Sequence, residues 1–163
     1  QLMVQFVGEE LADKALKLYR PHHLKALQSG VRFLPTARSL LKWCKKEGLM
    51  LAIASNRPAM FTDVILKGLD VKDSFDYVLC GDQVKRAKPY PDMLLKICKE
   101  LKVKKQETLF VGDMTIDLNC GSNAGIRTVA VPTGSNKKKE LLECQPYKII
   151  DSVIQLKELI PLA

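Results

Sequence analysis

Several residue types and patterns are scarce in this sequence. Among its 163 residues there are two histidines and one tryptophan, and aromatic residues make up 6% of the chain. The histidines, His22 and His23, are adjacent and have no metal-ligand spacing to any cysteine, which argues against a zinc site. No apolar run approaches the roughly 18–20 residues of a membrane span. The segment Gln1–Val7 is too short for a signal peptide and lacks its basic start. We therefore expect neither a membrane partner nor a secretory leader.

Paired cysteines are also missing. The chain has five cysteines, no two of which form a CxxC pair. An odd number of scattered cysteines without a disulfide framework is typical of reduced thiols, and it favours a cytoplasmic location. The five are Cys44, Cys80, Cys98, Cys120 and Cys144.

The net charge is +8. The excess lysines lie at predicted helix ends and in loops, without interleaved aromatic residues, as expected for solvated surfaces. Nucleic-acid binding would need a basic face together with a recognisable module, and the sequence contains no such module. Attraction of small anionic substrates is a milder use of the charge.

The hydrophobic pattern alternates between short apolar runs and segments with helical spacing. Such alternation predicts an α/β fold, a parallel sheet covered by helices on both faces. The length is that of about one domain. Pro21 is expected to end the first helix. We predict strands at residues 50–54, 77–80, 109–111, 128–131 and 148–150, and helices at 9–19, 24–27, 36–46, 59–66, 91–101, 115–124, 140–144 and 153–159.

Polar residues follow three of these predicted segments. Ser55 and Asn56 come after a strand, Lys88 lies in a proline-stiffened loop, and Asp113 and Asp117 follow the strand at 109–111. Taken singly, each has a simpler interpretation as a helix cap, a surface lysine or acids at a helix N-terminus. Taken together they are typical of a phosphate site with Mg²⁺. The hydroxyl and backbone amides would bind phosphoryl oxygens, lysine would neutralise charge, and the carboxylates would hold the ion.

This order of residues resembles the haloacid dehalogenase superfamily of phosphatases, nearest to its phosphoglycolate phosphatase and β-phosphoglucomutase branch. Ser55 in LAIASNRP matches the second motif of that family, and Lys88 in GDQVKRAKPYPDMLLKI matches the third. Asp113 and Asp117 in FVGDMTIDLNCGSNAGI match the fourth motif, GDxxxD. The resemblance extends over residues 20–162.

The resemblance implies a three-layer, Rossmann-like core over residues 31–163 and a remnant of a helical cap over residues 1–30. It also implies a Mg²⁺-dependent phosphatase that acts on a small phosphorylated metabolite through an aspartyl-phosphate. In the family, the first Asp of GDxxxD contacts Mg²⁺, and the second supports the metal site and the lysine. These roles are expected of Asp113 and Asp117, with Ser55 and Lys88 as catalytic residues and Ser55, Asn56 and Lys88 as the phosphate-binding group.

One family motif is absent from this sequence. The motif DxDG[TV] carries the nucleophile on the central strand, which in the family's sheet lies between the strands predicted at 50–54 and 109–111. Three explanations stand: the sequence is part of a longer enzyme, a partner chain carries the nucleophile, or the protein is an inactive pseudoenzyme that serves binding or assembly. In the last case residues 2–7 would fill the gap in the sheet, although they place no carboxylate at its end.

A response-regulator receiver uses similar residues around a similar sheet. Its acidic pair precedes its lysine, which is the reverse of the order found here, and this disfavours the receiver.

Overall fold

The computed structural model describes residues 8–160, in which helices and strands alternate along the chain. Four 3₁₀ turns, at Lys72–Ser74, Gly81–Gln83, Lys105–Glu107 and Val153–Glu158, complete the described elements. The elements in chain order are α1 (Glu9–Gly30), α2 (Ala37–Lys46), β1 (Ala52–Ser55), α3 (Ala59–Gly68), β2 (Tyr77–Cys80), α4 (Asp92–Glu100), β3 (Leu109–Gly112), α5 (Thr115–Ala124), β4 (Arg127–Ala130), α6 (Lys138–Glu143) and β5 (Lys148–Ile149).

The strands form two parallel groups. β1 pairs with β2, with Ala54 opposite Leu79, and β3 pairs with β4, which in turn pairs with β5. Within residues 8–160, β1 and β3 are not paired with each other, so each has one edge without a strand partner. A cavity of about 360 Å³ is lined by residues of both strands and of α4. The predicted gap between these two strands is thus present in the described part of the chain.

Two helices join the strand groups on one face. Leu94 and Cys98 of α4 and Cys120 of α5 form one buried cluster, against which Ala54 of β1 and Phe110 of β3 pack. The apolar residues of α4 recur at helical spacing, so one face of the helix can cover both groups.

The opposite face of the sheet is covered by other elements. Leu40 and Cys44 of α2 pack with Val129, Ile150 and Leu156. Helices on both faces of parallel strands give the predicted α/β, three-layer architecture.

Pro21 does not end the first helix, contrary to the prediction. Helix α1 is continuous from Glu9 to Gly30 and contains Pro21 in its interior. Proline removes one amide donor and disfavours the helix, but it does not forbid it. Because Pro21 is exposed, solvent can satisfy the carbonyl group that loses its donor. The separate helix predicted at 24–27 is therefore part of α1.

Other predictions are confirmed or need small corrections. The strand at 77–80 and the helix at 115–124 have the predicted bounds, and Gly125 ends α5 in the left-handed conformation with φ of 68°. The segment predicted as a closing helix, 153–159, is a 3₁₀ turn. Residues 2–7, predicted to be able to fill the sheet gap, lie outside the described residues.

No helix in the described part of the chain combines the length and the apolar character that crossing a membrane requires. The five cysteines are all free thiols.

Candidate functional site

The loop after β1 begins with Ser55, the predicted phosphate ligand. Its Oγ accepts a hydrogen bond of 3.2 Å from the backbone N–H of Arg57. The first amide of α3, that of Ala59, donates to both carboxylate oxygens of Asp82 at 3.0 and 3.2 Å. Two backbone N–H groups of the predicted anion site are therefore used within the protein. The hydroxyl hydrogen of Ser55 is the side-chain donor that this residue can still offer to a ligand.

The side chain of Asn56 joins this loop to the loop of Lys88. Its Nδ2 donates to the carbonyl oxygen of Lys88, and its Oδ1 accepts from the backbone N–H of Lys88, both at 2.9 Å. These two bonds hold the Lys88 backbone beside the carboxyl end of β1. Asn56 thus has a positioning contact that the sequence did not predict, while phosphate binding by Asn56 itself stays a prediction.

The ammonium group of Lys88 is held at two points. It donates to the carbonyl oxygen of Ala54 at 2.8 Å and to Oδ1 of Asp117 at 2.7 Å. Only 12% of the Lys88 side chain and 7% of the Asp117 side chain are exposed. A buried charge needs a partner and hydrogen bonds to be tolerated, and this pair supplies both. The positive group is therefore fixed between the ends of β1 and β3.

Asp117 uses its second oxygen at the start of α5. Oδ2 accepts hydrogen bonds from the backbone N–H groups of Asp113, at 3.2 Å, and Met114, at 3.1 Å. The absence of a side chain at Gly112 leaves room for this carboxylate, because a Cβ at that position would collide with the Asp117 side chain. These contacts match the supporting role that the family resemblance implies for Asp117 better than direct metal binding.

Asp113 is the carboxylate that fits a cation. Burial raises its pKa above the ordinary value of 3.8, and the neighbouring negative charge of Asp117 raises it further. Gly134 lies directly beside Asp113. A Cβ added at Gly134 would lie 3.0 Å from Oδ2 of Asp113, so the missing side chain leaves room for this carboxylate. An ion bound here would relieve the repulsion between the carboxylates, and an oxygen donor is the type that Mg²⁺ prefers. Residues 8–160 contain no cluster of three or more His, Cys, Asp or Glu side chains placed to hold a metal, so Asp113 would contribute one ligand of an incomplete set.

Three of the five predicted site residues line one cavity. Lys88, Asp113 and Asp117 border a space of about 250 Å³ at the carboxyl ends of the strands, together with Leu34 and Thr133. In parallel α/β folds, ligands bind at this edge of the sheet. Ser55 and Asn56 do not line that cavity, but Asn56 connects them to it through the backbone of Lys88.

Sequence reasoning missed two residues of α5 that hold the lysine loop. Asn123 Nδ2 donates to the carbonyl oxygen of Pro89 at 3.0 Å, and Cys120 Sγ donates to that of Tyr90 at 3.1 Å. Burial raises the pKa of the Cys120 thiol to about 11, so the thiol keeps the proton that it donates. The only sequence signal for Cys120 and Asn123 was that they lie three residues apart on a predicted helix. Many pairs of helical residues have this spacing without sharing a function.

The comparison with family models decides the class of protein. Residues 1–131 match the model described as haloacid dehalogenase-like hydrolase. The chain belongs to this family. The match includes β1, Lys88 and both aspartates of the cavity, so the residues gathered in the structure are residues of the family domain.

Individual relatives agree with this assignment. A phosphoglycolate phosphatase from Pseudomonas fluorescens is 31% identical over 160 residues, which are 98% of this chain and 57% of that protein. The solved structure of a proposed phosphoglycolate phosphatase from Lactobacillus delbrueckii subsp. bulgaricus has a TM-score of 0.84 and 27% identity, over 96% of this chain and 65% of its own. A proposed β-phosphoglucomutase from Thermotoga maritima shares the fold with a TM-score of 0.83 and 23% identity, over 98% and 76% of the two chains.

The lengths of these family members differ from that of this chain. The chain spans somewhat more than half of the P. fluorescens relative, at 57%. The catalytic activity of the complete relatives therefore applies to this chain only as a proposal.

Proposed function

We propose that the protein is a Mg²⁺-dependent phosphatase that hydrolyses a small phosphorylated metabolite in the cytoplasm. The observation that carries this proposal is the fixed ammonium group of Lys88, which lies between the ends of β1 and β3 and lines a cavity with Asp113. A fixed positive group of this kind stabilises the charge on a transferring phosphoryl group, because it needs no reorganisation during the reaction.

Each residue would have a separate task. Lys88 would neutralise phosphoryl oxygens while Asp117 keeps its ammonium group in place, and the Ser55 hydroxyl would donate to one of those oxygens. Asp113 would hold Mg²⁺, which supplies charge neutralisation and orientation of the phosphoryl group when it is bound. Asn56 would keep the Ser55 and Lys88 loops in register through its two hydrogen bonds to the Lys88 backbone.

The nucleophile would come from a segment other than residues 8–160. The edges of β1 and β3 that face each other lack strand partners in the described residues, and the cavity between them is lined by apolar side chains such as Ala54 and Phe110. A parallel strand in this gap would end beside Lys88 and Asp113. The nucleophilic carboxylate that the proposed mechanism needs would lie at that end, on a strand of the same chain or of a partner chain.

The proposed reaction has two steps. The carboxylate oxygen attacks phosphorus and forms an aspartyl-phosphate as the bond from phosphorus to the ester oxygen breaks, and the leaving oxygen takes a proton from the second aspartic acid of the DxDG[TV] motif, which the same segment would supply. Water then attacks phosphorus, gives a proton back to that second aspartate and releases inorganic phosphate, which restores the first carboxylate. The substrate that we propose is phosphoglycolate, since this compound gives its name to the curated relatives such as the one from P. fluorescens.

The test is phosphate release by the full-length protein that carries this sequence, with phosphoglycolate and other phosphate esters in the presence of Mg²⁺. We expect turnover that Lys88→Met lowers by at least 100-fold and that Lys96→Met, at an exposed lysine of α4, leaves unchanged. Each 1.36 kcal/mol of lost transition-state stabilisation lowers the rate tenfold. Ester binding without phosphate release, in the presence of Mg²⁺, would instead identify the inactive binding protein.

A further inference from the structure

The guanidinium group of Arg57, in the loop that carries Ser55, contacts a histidine of α1. Arg57 follows Ser55 by two residues, so the two Cα atoms are separated by at most about 7 Å of main chain. Its guanidinium nitrogen NH1 lies 3.0 Å from Nε2 of His23, which belongs to α1. Because arginine can only donate hydrogen bonds, Nε2 of His23 must accept. The contact thus ties the imidazole of His23 to a positive group at the edge of the site.

The imidazole of His23 is itself fixed by two aromatic rings. The Tyr19 ring stacks on it with a centroid distance of 4.9 Å, and the Phe61 ring meets it edge-on at 4.8 Å. Tyr19 lies one turn earlier on α1, and Phe61 lies on α3, the helix that begins after the Ser55 loop. Arg57 is therefore oriented by a residue that packs between α1 and α3.

The charge of Arg57 has no carboxylate partner in the described part of the chain. Some cations there do have one, such as Lys88 with Asp117 and Arg86 with Asp92, whereas Arg38 donates to a backbone carbonyl oxygen. The carboxylate of Asp82, which lies beside the first residue of α3, accepts from the backbone N–H of Ala59. An oriented guanidinium with unused donors is a binding group for a carboxylate, whose two oxygens it can bind at once.

We infer that Arg57 binds a second anionic group of the substrate, a carboxylate carried on the same small molecule as the phosphate, and that His23 positions it. This inference rests on the proposed phosphatase function and assigns the residue that would recognise the carboxylate of phosphoglycolate. Ser55 and Lys88 would bind the phosphate end, and Arg57 the acid end. Helix α1 would thereby contribute to specificity through His23.

The measurement is the selectivity of the full-length protein with Mg²⁺, expressed as the ratio of kcat/KM for phosphoglycolate to that for ethyl phosphate, which lacks the carboxylate. We expect a ratio well above one in the wild type. Arg57→Met should lower the ratio by about 10- to 100-fold, since a hydrogen bond to a charged group is worth about 1.5–3 kcal/mol. Arg38→Met is the matched control, because that guanidinium donates to the carbonyl oxygen of Leu69, at the C-terminal end of α3, whereas Arg57 precedes the N-terminal end of that helix.

The role of His23 is tested by two replacements. His23→Gln keeps an acceptor for Arg57 and should keep most of the selectivity, whereas His23→Leu should lower the ratio severalfold. Unfolding temperatures of the variants separate this effect from loss of folding, because a purely structural role would change the temperature and leave the ratio unchanged.

The outcomes distinguish this inference from the proposed function. An Arg57→Met variant with the wild-type ratio, or a wild type without preference for the carboxylate, would overturn the role of Arg57 and leave the phosphatase proposal intact. Absence of turnover with every ester would contradict both. Equal ratios for His23→Gln and His23→Leu would show that His23 does not position Arg57.

Discussion

The Nζ atom of Lys88 lies 2.7 Å from Oδ1 of Asp117, and both side chains are almost completely removed from solvent. This pair connects the loop before α4 to the first turn of α5. It also explains why the two residues, 29 positions apart in the sequence, belong to one site. Removing either partner leaves the other charge buried without compensation.

Asp117→Ala is therefore expected to destabilise the protein strongly. The substitution leaves the Lys88 charge unpaired and removes the acceptor of the N–H groups of Asp113 and Met114. Breaking a buried ion pair from one side typically costs about 3–5 kcal/mol. Chemical denaturation measures the loss. The matched control is Asp63→Ala at the exposed pairs with Lys67 and Lys72, where only a small change is expected; equal losses in both variants would contradict this account.

Asp113→Asn is expected to raise stability at neutral pH in the absence of Mg²⁺. Burial and the charge of Asp117 raise the pKa of Asp113 in the folded protein. The folded state therefore binds a proton more tightly than the unfolded state, and stability falls as pH rises from the ordinary value of 3.8 through the raised pKa. The asparagine variant lacks this loss, so the difference between the two proteins should grow across that window.

Mg²⁺ should reverse the order of these two proteins. An ion held by Asp113 stabilises the folded state by mass action, so millimolar Mg²⁺ should raise the unfolding temperature of the wild type and have little effect on Asp113→Asn. Differential scanning calorimetry at pH 7, with and without Mg²⁺, measures both effects. An equal response of the two proteins to Mg²⁺ would show that Asp113 does not bind the ion.

Asn56→Ala should separate the loops that carry Ser55 and Lys88. The variant loses the two 2.9 Å hydrogen bonds between the Asn56 side chain and the backbone of Lys88. We expect a loss of about 1–2 kcal/mol in unfolding free energy and weaker binding of inorganic phosphate, measured by calorimetric titration. Asn119→Ala, at an exposed position of α5, is the control that should leave both quantities near their wild-type values.

Gly112→Ala should disturb the position of Asp117. A Cβ at Gly112 would collide with Cβ of Asp117 and would lie 2.8 Å from its Cγ, so the Asp117 side chain or the backbone around it must shift. Crowding of this kind costs about 1–3 kcal/mol, and phosphate affinity should fall with stability. Gly68→Ala is the control, because a Cβ there meets no atom within 4 Å. A stable Gly112→Ala variant with normal phosphate binding would contradict the close packing.

The elements whose bounds were predicted correctly depend on residues that are close in sequence. The strand at 77–80 and the helix at 115–124, ended by Gly125, depend on residues close in sequence, and both have the predicted bounds. Pro21 shows the limit of such reasoning. A local rule predicted the end of a helix, whereas the packing of α1 against α3, through His23 and Phe61, accompanies a helix that continues to Gly30.

The same division holds for the site. The residues Ser55, Lys88, Asp113 and Asp117 could be selected from the sequence because their order and local context resemble family motifs. The contacts of these residues could not be predicted from the motifs. Cys120 and Asn123 hold the Lys88 loop only because α5 packs beside it, and Arg57 meets His23 only because α1 reaches the loop after β1.

The sequence by itself thus determined the alternation of strands and helices, the family resemblance and the residues that carry charge, since these depend on residue type and on short-range spacing. The tertiary structure decided which of those charges are paired, buried or without a partner. It joined Lys88 to Asp117, used Asn56 as a bridge and placed Arg57 against His23, and within residues 8–160 it left one edge of β1 and one of β3 without a strand partner. Contacts between residues far apart in the chain depend on how the helices and strands pack, and no short-range pattern encodes that packing.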